Sequence, residues 1–498
     1  MKLKIQYIDI DLDVLIISSK DASKLEILAS SIIKLTSGEK NLSGRVIKTS
    51  QVVIPGVIGI PSSMTGIFAP DEIVDVVSIH SPENKRIIDK FLKSNMSLSE
   101  EEIKSLVTGI SNDSLTPIQT TAFMLYHHFK QVDIKEVEML AKSFADSGNR
   151  ITWKSPAYDK HSIGGVPGNK VSLLIVPILA AAGLLTPKTS TKAITSASGT
   201  VDTMGVLAEV DFTPDEVMEI ANKTKGIIIS GEKLGIAPTI DKVITNAGYP
   251  LGLDPPSLIL AGVISKKIAM GIDFMVLDIP VGKGTKFVES DGRVFGRTFV
   301  DLAHAVGISA KCGITYGDVP VGHTIGPALE AREGLSTLID PSSGPNSLIE
   351  KSTSLAGLVI ELAGIANRGQ GQSVADDILR SGKAYKKMKE IIEAQGGDPN
   401  IKPDDIELGS YTMDIVAPAN GWVIEIKNRA LTQIARASGA PEHPGAGIHL
   451  LTKKESVKKG ELVARIYAHS EHALEEVRAQ VAKLQPIVIE GLLLGTIS

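Results

Sequence analysis

Short apolar runs separated by glycine and proline fill the first 85 residues, and this pattern predicts a β-rich module. The predicted strands are LKIQYIDI, DVLIIS, SGRVIKTS, QVVIPGVIGI and EIVDVVSIH. One longer stretch, DASKLEILASSIIKL, has its apolar residues at helical spacing and is a predicted helix. We therefore expect a small, barrel-like β module over residues 1–85.

From residue 86 to about residue 155 the apolar positions repeat every three to four residues, which predicts helices. Ser97, Thr116 and Asp133 each stand before such a repeat in a pattern typical of a helix N-cap. The expected structure over residues 86–155 is a helical domain.

Strand and helix patterns then alternate over residues 156–400, which is typical of a mainly parallel α/β sheet. The predicted strands are TSTKAITSAS, GIIISG and FMVLDIPVG, and the predicted helices are LLIVPILAAAGLL, TPDEVMEIANKTKG and SLILAGVISKKIAMGI. In such sheets ligands bind beyond the carboxyl ends of the strands, so the polar loops that follow these strands are the candidate site.

A segment rich in glycine, proline and aspartate, AQGGDPNIKPDDIELGS, ends this region near residue 400. Strand patterns return over residues 412–498, together with one helix pattern, SEHALEEVRAQVAKL. This predicts a C-terminal α+β module.

Composition narrows the class of protein. The chain has 498 residues, 43% of them hydrophobic and 22% charged, which indicates a multidomain globular protein. The formal net charge of −5 argues against broad binding of nucleic acid or anionic membranes. Cys312 is the single cysteine, so an internal disulfide is excluded, and the sequence has neither a signal peptide nor a run of 18 apolar residues. We expect a cytoplasmic protein.

A group of glycines and cations, KHSIGGVPGNK, runs from Lys160 to Lys170, directly before a predicted helix. Free N–H groups and the positive end of the helix dipole make such a position suitable for an anion. The segment is neither a Walker A sequence nor a dinucleotide fingerprint. Solvated lysines are the ordinary alternative, and His161 is equally compatible with a histidine packed into its own loop.

A second loop, KAITSASGTVDTMGVL over residues 192–207, gathers hydroxyl side chains at the end of a predicted strand. Clustered hydroxyls and backbone N–H groups bind phosphate or sugar oxygens without a metal. A Ser/Thr-rich turn is the alternative, but the position one βα unit after the glycine loop favours ligand binding. The histidines and acidic residues show no metal-ligand spacing, so no metal is expected.

Charged side chains also stand at the start of one predicted helix and at the end of one predicted strand. Asp254 stands before Pro255 at a predicted helix start, where an N-cap is the ordinary interpretation. Lys283 and Lys286 follow a predicted buried strand, where lysine is most often solvated.

Four ordered motifs, DKHSIGGVPGNK, TSASGTVDTM, ISKKIAMGID and GPALEAREGL, resemble the thymidine/pyrimidine nucleoside phosphorylase family. Within that family the chain is most similar to the archaeal AMP phosphorylase branch, which has an extra N-terminal module. The resemblance covers nearly the whole chain and implies an α/β multidomain fold, with a β-rich barrel-like module, a helical domain, a mainly parallel α/β phosphorylase core and a C-terminal α+β module.

The resemblance also implies a reaction. Inorganic phosphate attacks C1′ of the sugar of AMP, and the products are adenine and ribose 1,5-bisphosphate, with CMP and UMP as further candidate substrates. No cofactor is expected, and phosphate is the co-substrate. Asp254 is the implied acid that protonates the departing base. This role requires a raised pKa, which we expect from partial burial behind Pro255 and Pro256.

The same resemblance implies which positions of this sequence contact the ligands. The positions implied to bind the nucleotide are Gly168, Ile194, Thr195, Ser196, Ala197, Ser198, Gly199, Thr203 and Lys286. The positions implied to bind phosphate are Lys160, Ser162 and Thr200. The chain departs from the family at one substrate-binding position, because Gly262 stands where the family has a base-contacting serine.

Three alternatives stay open. A pyrimidine nucleoside phosphorylase would need an arginine between Thr245 and Lys266, where the sequence has none. A transferase similar to anthranilate phosphoribosyltransferase would need an acidic cluster for Mg²⁺. A non-catalytic nucleotide-binding scaffold would bind nucleotide without releasing free base.

The predicted partners are the small molecules AMP and phosphate and further copies of the same chain. Nucleoside-acting relatives are dimers without the N-terminal module, whose strands are more apolar than so small a core needs. The resemblance therefore implies a homo-oligomer, in which a core dimer joins a larger complex through residues 1–85.

Overall fold

The computed structural model describes residues 1–10, 12, 14–27, 32–64, 66–79, 82–94, 96–130, 133–193, 196–452 and 455–491. The chain divides into two compact units. The first comprises Met1–Asn149 and Ala237–Lys266, and the second comprises Arg150–Ile236 and Lys267–Ser498. Within the described part of the chain, no helix is both long enough and apolar enough to cross a membrane.

Six strands of the first unit close into a barrel, in the order β1-β5-β2-β4-β3-β6, which confirms the predicted barrel-like module. The elements are β1 (Lys2–Ile8), β2 (Leu15–Ser18), α1 (Ser19–Lys24), β3 (Ile32–Ser37), β4 (Lys40–Thr49), β5 (Val57–Pro61) and β6 (Ile73–Ile79). Alternate apolar side chains, such as Leu3 and Ile5 of β1, are buried in the interior of the barrel.

Strand β3 corrects the helix predicted over DASKLEILASSIIKL. Helix α1 ends at Lys24, and Ile32–Ser37 pairs with both β4 and β6 instead. The β-branched residues Ile32 and Ile33 favour an extended backbone, and the two neighbouring strands supply hydrogen bonds that a local helical pattern does not reveal.

Four helices follow the barrel, as the helical period predicts. They are α2 (Pro82–Ser94), α3 (Glu100–Ser111), α4 (Pro117–Phe129) and α5 (Ile134–Asp146). Thr116 and Asp133 cap α4 and α5 as expected. The prediction for α3 was wrong by two residues, because Ser99 rather than Ser97 is the cap and forms a reciprocal capping box with Glu102.

Strands and helices alternate through the core. They are β7 (Tyr158–Ser162), α6 (Ser172–Ala181), β8 (Thr186–Ser190), α7 (Thr200–Met204), α8 (Pro214–Thr224), β9 (Gly226–Ser230), α9 (Pro238–Val243), α10 (Tyr249–Leu251), α11 (Pro256–Ala269), β10 (Phe274–Val281), α12 (Glu289–Ala305), β11 (Ser309–Tyr316), β12 (Thr324–Ile325), α13 (Pro327–Ile339), α14 (Asn346–Leu362), α15 (Gly371–Arg380) and α16 (Lys383–Ala394). Helices α9 and α10 and the first turns of α11 belong to the first unit.

The core strands are parallel, as predicted. Strand β10 lies between β11 and β7, β8 pairs with β9, and a parallel bridge between Ala157 and Leu185 links the segments before β7 and β8. Helix α6 is apolar on all sides and buried from Ser172 to Ala180. Strand β8 ends at Ser190, before most of the predicted strand TSTKAITSAS, so the polar loop is longer than expected.

The C-terminal module is α+β, as predicted, with β13 (Tyr411–Val416), β14 (Gly421–Ile426), α17 (Asn428–Ala437), β15 (Gly447–Leu450), β16 (Ser456–Val457), β17 (Leu462–Ala468), α18 (Glu471–Leu484) and β18 (Ile487–Glu490). Helix α17 was missed by the sequence analysis, which placed one helix here. Its ten residues are few for periodicity to stand out between strands. Strand β15 also pairs with β12 of the core.

Candidate active site

Strand β7 places charged side chains on both faces of the core sheet. Successive side chains of a strand alternate between faces, so Asp159 and Lys160 project in opposite directions. Both are buried, with exposed fractions of 0% and 2%. The alternative of a solvated Lys160 is therefore wrong, because a buried charge needs a partner.

The partner of Lys160 is Asp278 in the middle of β10. We call Asp278, Lys160, Lys351, Ser162 and Thr315 the Asp278 cluster. The carboxylate oxygen Oδ2 lies 3.7 Å from Lys160 Nζ and 3.1 Å from Lys351 Nζ, and it accepts a hydrogen bond of 2.8 Å from Ser162 Oγ. The other oxygen accepts a bond of 2.6 Å from Thr315 Oγ1.

These contacts set the protonation of the cluster. Burial alone would raise the pKa of Asp278, but the ammonium groups of Lys160 and Lys351 and the two hydroxyl donors hold that pKa below its ordinary value. Burial lowers the pKa of Lys160 to about 8, while the attraction of Asp278 opposes this shift. At neutral pH Asp278 is therefore a carboxylate and Lys160 an ammonium group.

A second group of buried charges, the Asp159 cluster, consists of Asp159, Lys188 and Lys267. Asp159 lies 3.6 Å from Lys188 Nζ and 2.5 Å from Lys267 Nζ. Burial lowers the pKa of Lys188 to about 7, against the attraction of Asp159. Lys188 Nζ also donates to the carbonyl of Thr189 at 2.8 Å, and one oxygen of Asp159 accepts the backbone N–H of Lys160 at 2.7 Å.

The glycine loop connects the end of β7 to helix α6. Gly168 has a φ of +71°, and a Cβ there would lie 2.6 Å from the carbonyl oxygen of Thr324, so only glycine fits. Lys170 is buried and paired with Glu333 at 2.6 Å, which makes it a structural residue rather than one of two cations flanking an anion. Asn169 donates from Nδ2 to Ser162 Oγ at 3.0 Å and so connects the loop to the Asp278 cluster.

The predicted nucleotide loop is held together by its own side chains. Asp202 accepts the backbone N–H groups of Ala193 and Gly199 at 2.7 and 2.8 Å. Thr203 is fully buried, and its hydroxyl lies 2.8 Å from Ser198 Oγ and donates to the carbonyl of Gly199.

Of the remaining residues in this loop, Ser196 is exposed, Ala197 is buried, and Thr200 is the first residue of α7. Ile194 and Thr195 lie outside the described residues.

The C-terminal module contributes to the same loop. Arg436, near the end of α17, donates from Nη1 to the carbonyl of Ser196 at 3.0 Å, and Ala197 packs into the apolar core of the module. A contact 240 positions apart in the chain has no signal in a single sequence.

Lys286 is exposed on the loop after β10, and this loop approaches the glycine loop closely. A Cβ at Gly165 would lie 3.3 Å from the backbone nitrogen of Lys286. The structure thus brings together Lys160, Ser162, Gly168 and the Lys286 loop.

Asp254 and Gly262 belong to the first unit. Asp254 lies between Gly252 and helix α11, which starts at Pro256, and it is exposed. The expected burial behind Pro255 and Pro256 is therefore not found. A Cβ at Gly262 would lie 3.0 Å from Ile240 Cγ1, so the helix packs tightly against α9 at this position.

Several functional candidates were missed from the sequence. Asp278 and Lys351 form the cluster with Lys160, and Asp202 organises the nucleotide loop. A signal was present for two of them, since Asp278 interrupts the apolar strand FMVLDIPVG and Lys351 lies in the apolar stripe of α14. Within the described residues, no group of three His, Cys, Asp or Glu side chains is placed to hold a metal ion.

Comparison with known families defines the class of this architecture. The glycosyl transferase family models match twice, with the helical bundle domain over residues 85–148 and the a/b domain over residues 154–385. The pyrimidine nucleoside phosphorylase C-terminal domain matches residues 422–488. The chain is thus built as a glycosyl transferase of the nucleoside phosphorylase type.

Full-length relatives specify the family further. AMP phosphorylase of Methanosarcina mazei is 42% identical over 503 positions, covering 100% of this chain and 98% of that protein. Those of Methanosarcina barkeri and Thermococcus kodakarensis are 43% and 42% identical, covering 100% of this chain and 99% of each relative. The chain belongs to the AMP phosphorylase family, which confirms the resemblance inferred from the motifs.

A solved structure shows the same fold at low identity. Anthranilate phosphoribosyltransferase of Thermus thermophilus superposes with a TM-score of 0.53 at 16% identity, over 64% of this chain and 100% of that one. At this identity the likeness concerns the fold alone.

Proposed function

We propose that the protein catalyses the phosphorolysis of nucleoside 5′-monophosphates, converting AMP and inorganic phosphate into adenine and ribose 1,5-bisphosphate. The observation on which the proposal rests is the full-length similarity to AMP phosphorylases at 42% identity. CMP and UMP are further candidate substrates, and no cofactor takes part.

The Asp278 cluster supports the phosphate half of the reaction. Phosphate is already a nucleophile at neutral pH, so the protein has to position it and to stabilise the oxocarbenium-like transition state. Lys160 supplies a cation from the middle of the parallel strand β7, and Ser162 supplies a hydroxyl at its carboxyl end, where α/β sheets bind ligands. Thr200 is the third proposed phosphate contact.

The nucleotide half is assigned to Gly168, to residues 194–199, to Thr203 and to Lys286. Thr203 acts through the loop, because its buried hydroxyl bonds Ser198 and Gly199. Thr203→Ala should therefore weaken nucleotide binding by loosening the loop, with little effect on phosphate. Equal effects on both ligands would contradict this division.

Asp254 is the proposed acid, since a purine anion is a poor leaving group. The side chain is exposed, so the proposed role requires the bound nucleotide to shield it from water. Asp254→Asn should retain AMP binding and lose about 10²–10⁴-fold in turnover. Near-normal turnover of this variant would show that Asp254 is not the acid.

The reaction itself is tested by incubating the purified protein with AMP, CMP, UMP or thymidine, each with and without inorganic phosphate. Release of free adenine that requires phosphate supports the proposal. Release from thymidine alone would identify a nucleoside phosphorylase, and nucleotide binding without release would identify a binding scaffold.

A homo-oligomer and a cytoplasmic location complete the proposal. The barrel exposes several large apolar side chains, Ile47, Val52, Ile54, Ile73 and Val77. A core dimer would use this surface to join a larger complex. Light scattering should give a lower mass for a chain lacking residues 1–84, and likewise for the Ile73→Asp variant, than for the parent. An unchanged mass for both would exclude the barrel from assembly.

A further inference from the structure

The carboxylate of Asp278 has two cationic neighbours, and they are not equivalent. Lys351 Nζ lies 3.1 Å from Oδ2, whereas Lys160 Nζ lies 3.7 Å from the same oxygen. Both lysines are therefore close enough to form an ion pair with Asp278, and Lys351 is the nearer of the two.

The sequence places Lys351 on the face of α14 that packs on the core sheet. Leu348 and Leu355, three positions before it and four after, are buried at 0% and 1% exposure on the same face. Gly313 of β11 lies opposite, and a Cβ there would come to 3.0 Å from Leu355 Cδ2. The missing side chain lets α14 approach the sheet closely enough for Lys351 to contact Asp278.

Two ammonium groups share this one carboxylate. Coulomb attraction varies only as the inverse of distance, so at 3.1 and 3.7 Å the two lysines are attracted to Asp278 to a similar extent, and the cluster keeps a surplus of positive charge. The ammonium of Lys160 therefore has only a share of the counter-charge of Asp278. An ammonium in this state, beside the hydroxyl of Ser162, is suited to bind an anion.

We propose that Lys351 is a positioning residue for the phosphate co-substrate, because by sharing the carboxylate of Asp278 it leaves part of the charge of Lys160 available to inorganic phosphate. The inference rests on the proposed function, in which Lys160 binds phosphate. Lys351 itself does not contact the reacting atoms. Without Lys351, Lys160 would close on Asp278 and its charge would be neutralised.

The direct test is Lys351→Met, which keeps the length of the side chain and removes its charge. We expect the KM for inorganic phosphate to rise about tenfold or more, the equivalent of one pKa unit of interaction, while the KM for AMP stays within about twofold. Calorimetric titration with inorganic phosphate alone should show the same weakening without turnover. An unchanged phosphate affinity overturns the inference.

Charge rescue distinguishes positioning from simple structural damage. In the double variant with Asp278→Asn and Lys351→Met, the ammonium of Lys160 has no carboxylate to pair with, so much of the phosphate affinity should return. Asp278→Asn also removes a buried carboxylate charge that would hinder folding of Lys351→Met alone. Lys351→Arg should retain affinity, since a cavity of about 550 Å³ lined by Thr315, Lys351 and Ser354 gives the larger group room. Failure of both rescues would overturn the inference.

Lys267→Met is the matched control, because Lys267 is an equally buried lysine paired with the other aspartate. It should lower the thermal stability much as Lys351→Met does and leave phosphate affinity within about threefold, a difference well under 1 kcal/mol. Equal weakening in both variants would mean a general structural effect. If the parent binds phosphate but never releases adenine, the proposed function fails while the titration still tests Lys351.

Discussion

The Asp278 and Asp159 clusters lie on opposite faces of strand β7 and have the same ionisable residue types, one aspartate and two lysines each. Their other contacts differ. Asp278 accepts hydrogen bonds from the side chains of Ser162 and Thr315, and Asn169 of the glycine loop bonds Ser162 in turn. The Asp159 cluster is completed by backbone groups of β7 and β8. We therefore expect the anion on the face of the Asp278 cluster, where hydroxyl and amide side chains accompany the positive charge.

The largest expected effect is on stability and should be common to both clusters. Asp159→Asn and Asp278→Asn each leave two buried lysines unpaired, so we expect the free energy of unfolding to fall by about 3–5 kcal/mol at neutral pH. Urea unfolding measures this loss. A change below about 1 kcal/mol in either variant would show that its cluster is not a structural pair.

A matched pair of lysine variants should separate the clusters by function. Lys160→Met removes the proposed phosphate cation, and a charge-assisted bond of about 1.5–3 kcal/mol corresponds to a rise of roughly 10- to 150-fold in the KM for phosphate. Lys188→Met removes an equally buried cation from the other face and should leave that KM within about threefold. Steady-state kinetics with varied phosphate decide between them, and similar values for both variants would break the distinction.

The pH dependence follows from the lowered pKa of Lys160, about 8. Below this pH the ammonium is charged and binds phosphate; above it the KM for phosphate should rise, approaching tenfold per pH unit, while the KM for AMP rises less. The stability of the fold should increase over the pH range in which phosphate binding weakens. Because the native Lys160 and Lys188 have lowered pKa values, the unfolded chain binds more protons from about pH 7 to 10.5, so the free energy of unfolding rises with pH. A flat KM up to about pH 10 would exclude Lys160 as the phosphate cation.

The smallest effect is expected at Ser162. Ser162→Ala removes one hydroxyl group, which also donates to the carboxylate of Asp278, and a net loss of about 0.5–1.5 kcal/mol in phosphate binding corresponds to a roughly two- to twelvefold rise in the KM for phosphate. Ser190→Ala, at the end of β8, is the corresponding change beside the other cluster and should have no effect on phosphate. If Ser190→Ala raised the KM for phosphate more than Ser162→Ala does, the anion would bind on the face of the Asp159 cluster, which would contradict the proposal.

Local patterns predicted much of this molecule. The α/β alternation, the barrel-like module and the caps of α4 and α5 depend on residues close together in the chain, and all were found. The exceptions depend on distant partners: β3 is a strand because β4 and β6 pair with it. The candidate site divides in the same way, since Lys160 and Ser162 belong to one motif, whereas Lys351 reaches Asp278 across 73 positions of the sequence. One amino-acid sequence does not reveal such long-range contacts, except that a charged residue within an apolar stripe indicates a buried charge that needs a partner.

The pairing of β12 with β15 joins the core segment to the sheet of the C-terminal module. Ile325 of β12 and Ile448 of β15 are register partners. Glycine is required beside each of them, because a Cβ at Gly326 would meet the carbonyl of Ala446 and a Cβ at Gly447 would meet the carbonyl of Ile325. Two segments with separate family models therefore share one ladder of backbone hydrogen bonds. Because β12, which belongs to the core segment, is the edge strand of the C-terminal sheet, we expect the core and the module to unfold in one cooperative transition.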